Sequence, residues 1–143
     1  MPKVSVIIPV KNGERYLREA LDSVMAQTFR DFEVVVVDDA STDGTAAIAR
    51  SYPSVRYLYR ERSEGVSKAR NAAIRAAKGQ YLASLDCDDL WYPEKLALQV
   101  PILDRDSLTG VVYSDQEWID QEGQTIKVVP HSNWSKGWDQ YFC

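Results

Sequence analysis

Phe32-Glu33-Val34-Val35-Val36-Val37-Asp38-Asp39-Ala40-Ser41-Thr42-Asp43-Gly44 is the stretch that decides the fold. Four consecutive valines with no polar alternation suit a strand covered on both faces, as in a parallel sheet. The run stops at two carboxylates and a polar loop. Upstream, residues 4–8 are β-branched and compact, and Asn12-Gly13 separates them from a helical pattern over 14–28. There Tyr16, Leu17, Ala20, Leu21, Val24 and Met25 share one helix face. Downstream, a short helix over 45–51 precedes a third strand over 55–59 and a charged loop over 60–65. Residues 67–78 are alanine-rich and helical, with Gly79 in the position of a C-terminal cap. A fourth strand over 80–85 runs into Asp86-Cys87-Asp88-Asp89. Pro93 suits the first turn of a helix reaching to about residue 104, which Pro101 should bend or shorten. Residues 110–114 read as a fifth strand, and 118–120 with 125–129 as a hairpin around 121–124.

Strands alternating with helices predict an α/β fold, a mostly parallel central sheet flanked by helices on both faces. In such sheets ligands bind beyond the carboxyl ends of the strands, so the residues just after each strand carry the functional information.

Composition narrows the class. The chain has 143 residues, 45% of them hydrophobic and 27% charged, which is one soluble globular domain rather than a disordered or fibrous chain. Seventeen Lys and Arg against 21 Asp and Glu give a net charge of −4, the wrong sign for a dedicated nucleic-acid binder. Two cysteines make no disulfide framework, and the lone His131 excludes multi-histidine zinc sites. The longest near-apolar stretch, residues 4–10, is far below the roughly 20 needed to cross a bilayer. Met1-Pro2-Lys3 leads straight into the first strand without a signal-peptide pattern, so a reducing cytoplasmic location is expected.

The loops hold the chemistry. Asp39, at a strand end, is placed to accept hydrogen bonds from a base N–H or a ribose hydroxyl. The blander reading of this loop has Ser41 or Thr42 capping the next helix and Asp43 near its positive end. Asp86, Asp88 and Asp89 repel one another unless a cation sits among them, and their hard oxygens favour Mg²⁺ or Mn²⁺ over zinc. Here the alternative is a solvated turn with Asp88 or Asp89 as a helix cap. Gly65 permits an unusual turn and opens a helix whose free N–H groups suit an anion. Lys68 and Arg70 are therefore candidates for phosphate or nucleotide contact, with a solvent-facing basic turn as the competing reading for Lys68.

Three stretches in order, VSVIIPVKNGERYLREALDSVMAQTFRDFEVVVVDDASTDGT, EGVSKARNAAIRAAKGQYLASLDCDDLWYPEKL and VVYSDQEWIDQEGQTI, resemble the family 2 glycosyltransferases. That family has the A-type nucleotide-diphospho-sugar fold, Rossmann-like in its layering, and the likeness runs over roughly residues 2–129. The resemblance implies that Pro9 and Val10 line the base pocket with Asn12 nearby, and that Asp39 and Arg70 contact the nucleotide. It places Asp86 towards the ribose and Asp88 towards a Mn²⁺ or Mg²⁺ ion on the diphosphate. Asp89 is less fixed in its role. Cys87 stands where the family carries a small residue and reads as packing.

The implied reaction moves a sugar from a UDP, GDP or dTDP donor to a saccharide, lipid-linked or other hydroxyl acceptor, with inversion. Relatives often work at the cytoplasmic membrane face. A homo-oligomer is compatible with the sequence, and nucleic acid is not an expected partner. The family's general base is an Asp or Glu in the carboxyl-terminal half, often in a Glu-Asp pair. This chain has no Glu-Asp dipeptide, so the base is expected beyond residue 143. On this reading residues 1–129 bind the nucleotide sugar. Residues 130–143, with Trp134, Trp138, Tyr141 and Phe142 at helical spacing, begin the acceptor side. A catalytically silent nucleotide-binding or assembly module is the alternative.

Overall fold

A computed structural model describes residues 1–130, and within them ten elements follow in chain order. They are β1 (Val4–Val10), α1 (Leu17–Met25), β2 (Phe32–Asp38), α2 (Thr45–Arg50), β3 (Val55–Tyr59), α3 (Val66–Ala76), β4 (Tyr81–Ser84), α4 (Lys95–Arg105), β5 (Gln116–Ile119) and β6 (Thr125–Val129). The aromatic spacing of Trp134 to Phe142 lies outside the described residues. The chain divides into two compact units, Met1–Ala97 and Leu98–Cys143.

The first unit holds a four-stranded sheet in the order β3-β2-β1-β4, with every pairing parallel. The valine run fulfils its reading: Val34 to Val37 are at most 1% exposed. Strand alternation sends Ile7, Val35 and Val37 to one face, where Ala69 and Ala73 of α3 pack on them. Small residues on α3 let the helix lie close to the sheet. Val6, Ile8, Val34 and Val36 point the other way and are buried as well. Leu17, Ala20, Leu21 and Val24, all 0% exposed, form the buried stripe of α1. The edge strands β3 and β4 bury fewer residues, and Leu82 on β4 is half exposed.

Pro9 sits inside β1, although a proline in a central strand ordinarily removes a ladder bond. Ile7 O accepts from Leu85 N on the β4 side, and Val10 O accepts from Asp39 N on the β2 side. Odd residues of β1 therefore face β4. The β1–β4 ladder ends at Ile7, so the missing donor of Pro9 falls just past the last paired residue.

Four expectations need correction. Gly79 does not cap α3, because the cap is Ala77 with an extended backbone. Gly79 instead passes so close to β1 that an added Cβ would meet Ser5 N at 2.5 Å and the Val4 carbonyl carbon at 2.6 Å. Gly79→Ala is expected to cost about 1–3 kcal/mol through displaced backbone. Urea unfolding that shifts by less than about 0.5 kcal/mol, an ordinary surface value, would contradict this packing.

Pro93 precedes α4 rather than entering its first turn, and α4 reaches Arg105 close to its expected end, so of the two effects expected of Pro101 shortening does not occur. The missing N–H of Pro101 deprives Ala97 of its intrahelical partner, and Ala97 is where the first unit ends. Residues 110–114 form no strand. Val111 and Tyr113 are 74% and 58% exposed, and β-branched or aromatic residues favour a strand only when a neighbour pairs them.

The fourth correction concerns the β2–α2 loop: Ser41 and Thr42 bond to Asn12 rather than capping α2. The N-cap is Gly44, and Asp43 sits near the positive end of α2 as expected, accepting from Thr45 N at 3.0 Å and the Thr45 hydroxyl at 2.5 Å. In the second unit the expected hairpin is present as β5–β6, antiparallel, with Asp120 Oδ1 accepting from Glu122 N and Gln124 N in its turn.

Candidate functional site

The strand order places β1 at the point where the winding reverses, since β2 and β3 lie on one side of it and β4 on the other. Crevices at such switch points are the ligand sites of open α/β sheets. A cavity of about 420 Å³ opens there, at the carboxyl ends of the strands. Pro9, Val10 and Lys11 line it from β1, Asp39 from β2, and Asp86, Cys87 and Asp88 from the segment after β4. Ser63, Gly65, Val66 and Ala69 complete it from the β3–α3 loop and α3.

Five of the seven residues expected at a nucleotide site thus share one cavity: Pro9, Val10, Asp39, Asp86 and Asp88. Arg70 stands beside it, its guanidinium donating to Asp86 Oδ1 at 2.7 Å. Asn12 does not line the cavity. It bridges two loops, its backbone N–H donating to Ser41 Oγ at 2.8 Å and its Oδ1 accepting from Thr42 N at 3.0 Å. Asn12 adopts φ of +52° and Ala40 of +60°, a left-handed backbone that costs an L-residue roughly 1–2 kcal/mol. Both strained residues lie in the two loops that meet above the sheet.

Asp39 is 1% exposed and fully engaged. Its Oδ1 accepts from Arg60 at 2.7 Å and Glu64 N at 3.2 Å. Its Oδ2 accepts from the Ser63 hydroxyl at 2.7 Å and Gly65 N at 2.9 Å. Four donors fill the four lone-pair positions of a carboxylate. Burial pushes this carboxyl up, but the bonds from Ser63, Glu64 and Gly65 and the charge of Arg60 bring it below the ordinary range. Gly65 reaches Asp39 with φ of +92°, a conformation that favours glycine. Lys11 Nζ donates to Ser63 Oγ at 2.7 Å, so Lys11, Ser63 and Asp39 form a chain of hydrogen bonds along one wall.

Asp38 beside it is structural. It accepts from Ser41 N and from the Tyr57 hydroxyl at 2.6 Å. Burial, with the bond and charge of Asp38, pushes the Tyr57 phenol well up and keeps it a neutral donor.

The acid cluster divides by partner. Asp86 is paired with Arg70, so the cation expected among these acids is in part a residue of the chain. Asp88 has no side-chain partner among the described residues. Partial burial, then the charges of Asp88 and Asp86, hold the Asp89 carboxyl above its ordinary value. Neither Asp88 nor Asp89 caps α4, which starts at Lys95. Burial and the same two charges push the Cys87 thiol up to about 11, so it stays protonated and fits a packing role. Lys68 is bound to Glu64 at 2.6 Å, in line with its solvent-facing reading.

Among the described residues no group of three or more His, Cys, Asp or Glu side chains is arranged to hold an ion. That donor set fits Mg²⁺ or Mn²⁺ arriving with a diphosphate, because such ions take one or two carboxylates and complete their shell with phosphate and water. Sequence reasoning missed Lys11 and Ser63. Lys11 follows β1 directly and was open to the strand-end rule; Ser63, in a charged loop, gave no signal.

The parallel sheet and its switch-point cavity define an A-type nucleotide-diphospho-sugar transferase fold. The chain belongs to glycosyl transferase family 2, whose profile matches residues 5–140. An uncharacterized glycosyltransferase of Rickettsia prowazekii is 44% identical over 138 residues, covering 94% of this chain and 43% of the relative. The structure of S. aureus TarS with UDP-GlcNAc aligns with a TM-score of 0.70 at 32% identity, over 82% of this chain and 40% of that one. A mannosyltransferase from Pyrobaculum calidifontis, in complex with GDP-Man and Mn²⁺, gives 0.70 and 32% over 82% and 36%. The chain spans less than half the length of each of these proteins.

Proposed function

We propose that the cavity binds a nucleotide-diphospho-sugar and that these residues form the donor half of an inverting glycosyltransferase. One observation carries this reading: Asp39 and Asp86 are each held by an arginine, and Asp88, on the same cavity, has no side-chain partner among the described residues. Two acids fixed for neutral contacts and one left open suit a ligand with a base and ribose at one end and a metal-bridged diphosphate at the other. The base lies against Pro9, Val10 and Asp39, with Asn12 and Arg70 supporting the nucleotide. Asp86 takes the ribose and Asp88 the ion. The UDP-GlcNAc, GDP-Man and Mn²⁺ of the structurally similar proteins support this assignment.

In the reaction, an acceptor hydroxyl attacks C1 of the sugar opposite the diphosphate, a base takes the hydroxyl proton, and the bond to the diphosphate oxygen breaks. A bound Mn²⁺ or Mg²⁺ would offset the charge left on the departing diphosphate. The base is assigned to the acceptor half rather than to a residue of this cavity.

Calorimetric titration of UDP, GDP and dTDP, each with Mn²⁺ and with EDTA, tests the reading. One nucleotide is expected to bind in a metal-dependent manner. Folded protein that binds none of them would overturn it.

The filled lone pairs of Asp39 add a prediction. A base N–H reaches Oδ2 only by displacing a donor, and the Ser63 hydroxyl is the one that can rotate away without backbone motion. Ser63→Ala removes that competitor and is expected to tighten nucleotide binding roughly two- to tenfold, the worth of one net hydrogen bond. Weaker binding in the same titration would show that Ser63 holds the base instead.

A further inference from the structure

Gln27, just past the end of α1, is 0% exposed and lines no part of the cavity. Its amide is nonetheless fully used. Oε1 accepts from Leu96 N at 3.0 Å, satisfying a free N–H in the first turn of α4 from another element. Nε2 donates to Tyr92 O at 2.7 Å and, more weakly, to Ser23 O at 3.3 Å. Two neighbours work in parallel. Trp91 N donates to Ser23 Oγ at 3.2 Å, and Thr28 N donates to Pro93 O at 2.8 Å. The end of α1 therefore grips residues 91–96 at several points.

Those residues follow the acid loop directly. Leu85, 2% exposed, anchors the loop at its start through a bond from its N–H to Ile7 O. Asp86 to Leu90 span the gap between that anchor and the grip of Ser23 and Gln27. Within the span, Asp89 N donates to Asp86 O at 3.1 Å, while the Asp88 side chain has no bond to another described residue. Arg70 holds Asp86 inside the span, and the two ends of the loop help set the position of Asp88.

We propose that Gln27 is a positioning residue for the diphosphate end of the donor site, holding the far end of the acid loop so that Asp88 meets the ion carried by the nucleotide. This rests on the donor-site reading above. Gln27 is remote from the base pocket, where Asp39 is held by the β3–α3 loop and not by α1. Its loss is thus expected to weaken diphosphate and metal binding while sparing the base.

The test uses Gln27→Met, which keeps length and volume but removes both strong bonds, and Ser23→Ala, which frees Trp91 N by a milder route. For each protein, the nucleoside diphosphate that the wild type binds is titrated with Mn²⁺, and the matching nucleoside monophosphate without metal. Gln27→Met is expected to lose about tenfold in affinity for the diphosphate with Mn²⁺, the lower end of the loss seen when an outer partner of a metal ligand is removed. The monophosphate should bind as it does to the wild type, and Ser23→Ala should show the same selective loss in smaller measure. Equal losses for both ligands in folded protein, or no loss for either, would overturn the proposal. If Gln27→Met does not fold, Ser23→Ala decides between these outcomes. A wild type that binds no nucleotide would remove the donor-site reading itself, a different result from a wild type that binds and variants that do not discriminate.

Discussion

Asp39→Asn is expected to destabilise the folded chain by about 3 kcal/mol and to abolish nucleotide binding. The carboxylate accepts four hydrogen bonds, two of them from backbone N–H groups. An asparagine has one oxygen for those donors, and its NH₂ would face N–H groups with another N–H. Hydrogen bonds to charged groups contribute about 1.5–3 kcal/mol each, and a buried donor left unpaired costs about 1–3 kcal/mol, so partial relaxation still leaves a loss of this size. Arg60, 19% exposed, also loses the charge of Asp39 and keeps only Glu64 as an ion-pair partner.

The pH dependence has a definite sign. The folded carboxyl lies below its ordinary value of 3.8, so its stabilisation is complete at neutral pH and is lost as the pH falls below that value through the folded pKa. The gap between wild type and Asp39→Asn in urea unfolding should therefore be widest near neutrality and close under acid. A midpoint for the variant equal to that of the wild type at pH 7 would mean that Asp39 does not hold the β3–α3 loop.

Some of these contacts were legible in the sequence and others were not. The valines of β2 and the compact run of β1 announce themselves because a strand buried on both faces has no polar alternation, and the acids after β2 and β4 then fall at strand ends by necessity. Arg60 and Ser63 were illegible for the opposite reason. Their partners lie 21 and 24 residues away, and a loop of charged residues carries no period from which a contact can be inferred. Gly79 illustrates a third case, where the residue type was informative and its cause was misread. Glycine after a helix suggests a left-handed cap, but here it is the backbone of β1, more than 70 residues away in sequence, that leaves no room for a Cβ. Residues 110–114 failed as a strand because strand formation is a property of a pair, and nothing in a single segment shows whether its neighbour is present.

Asp88 provides the sharpest separation between folding and function. Asp88→Asn is expected to leave the fold intact or slightly firmer, because the carboxylate has no partner to lose among the described residues and its charge helps hold the Asp89 carboxyl above its ordinary value. Removing that charge should lower the Asp89 pKa and leave the thermal midpoint unchanged or raised. The same change should reduce nucleoside diphosphate binding in the presence of Mn²⁺ by about tenfold or more, since a hard cation loses a charged oxygen ligand, and should leave binding in EDTA as it is. Mn²⁺ without nucleotide should bind neither protein appreciably, because no preformed group of three ligands exists among the described residues. Stability that falls together with binding would instead assign Asp88 a structural role. Binding that is unchanged with metal would move the ion to Asp86, whose bond to Arg70 at 2.7 Å would then have to open. Natural sites often retain a repulsive, destabilising charge of this kind because the ligand requires it, and on the donor-site reading Asp88 would be an acid more costly to the free protein than to its complex.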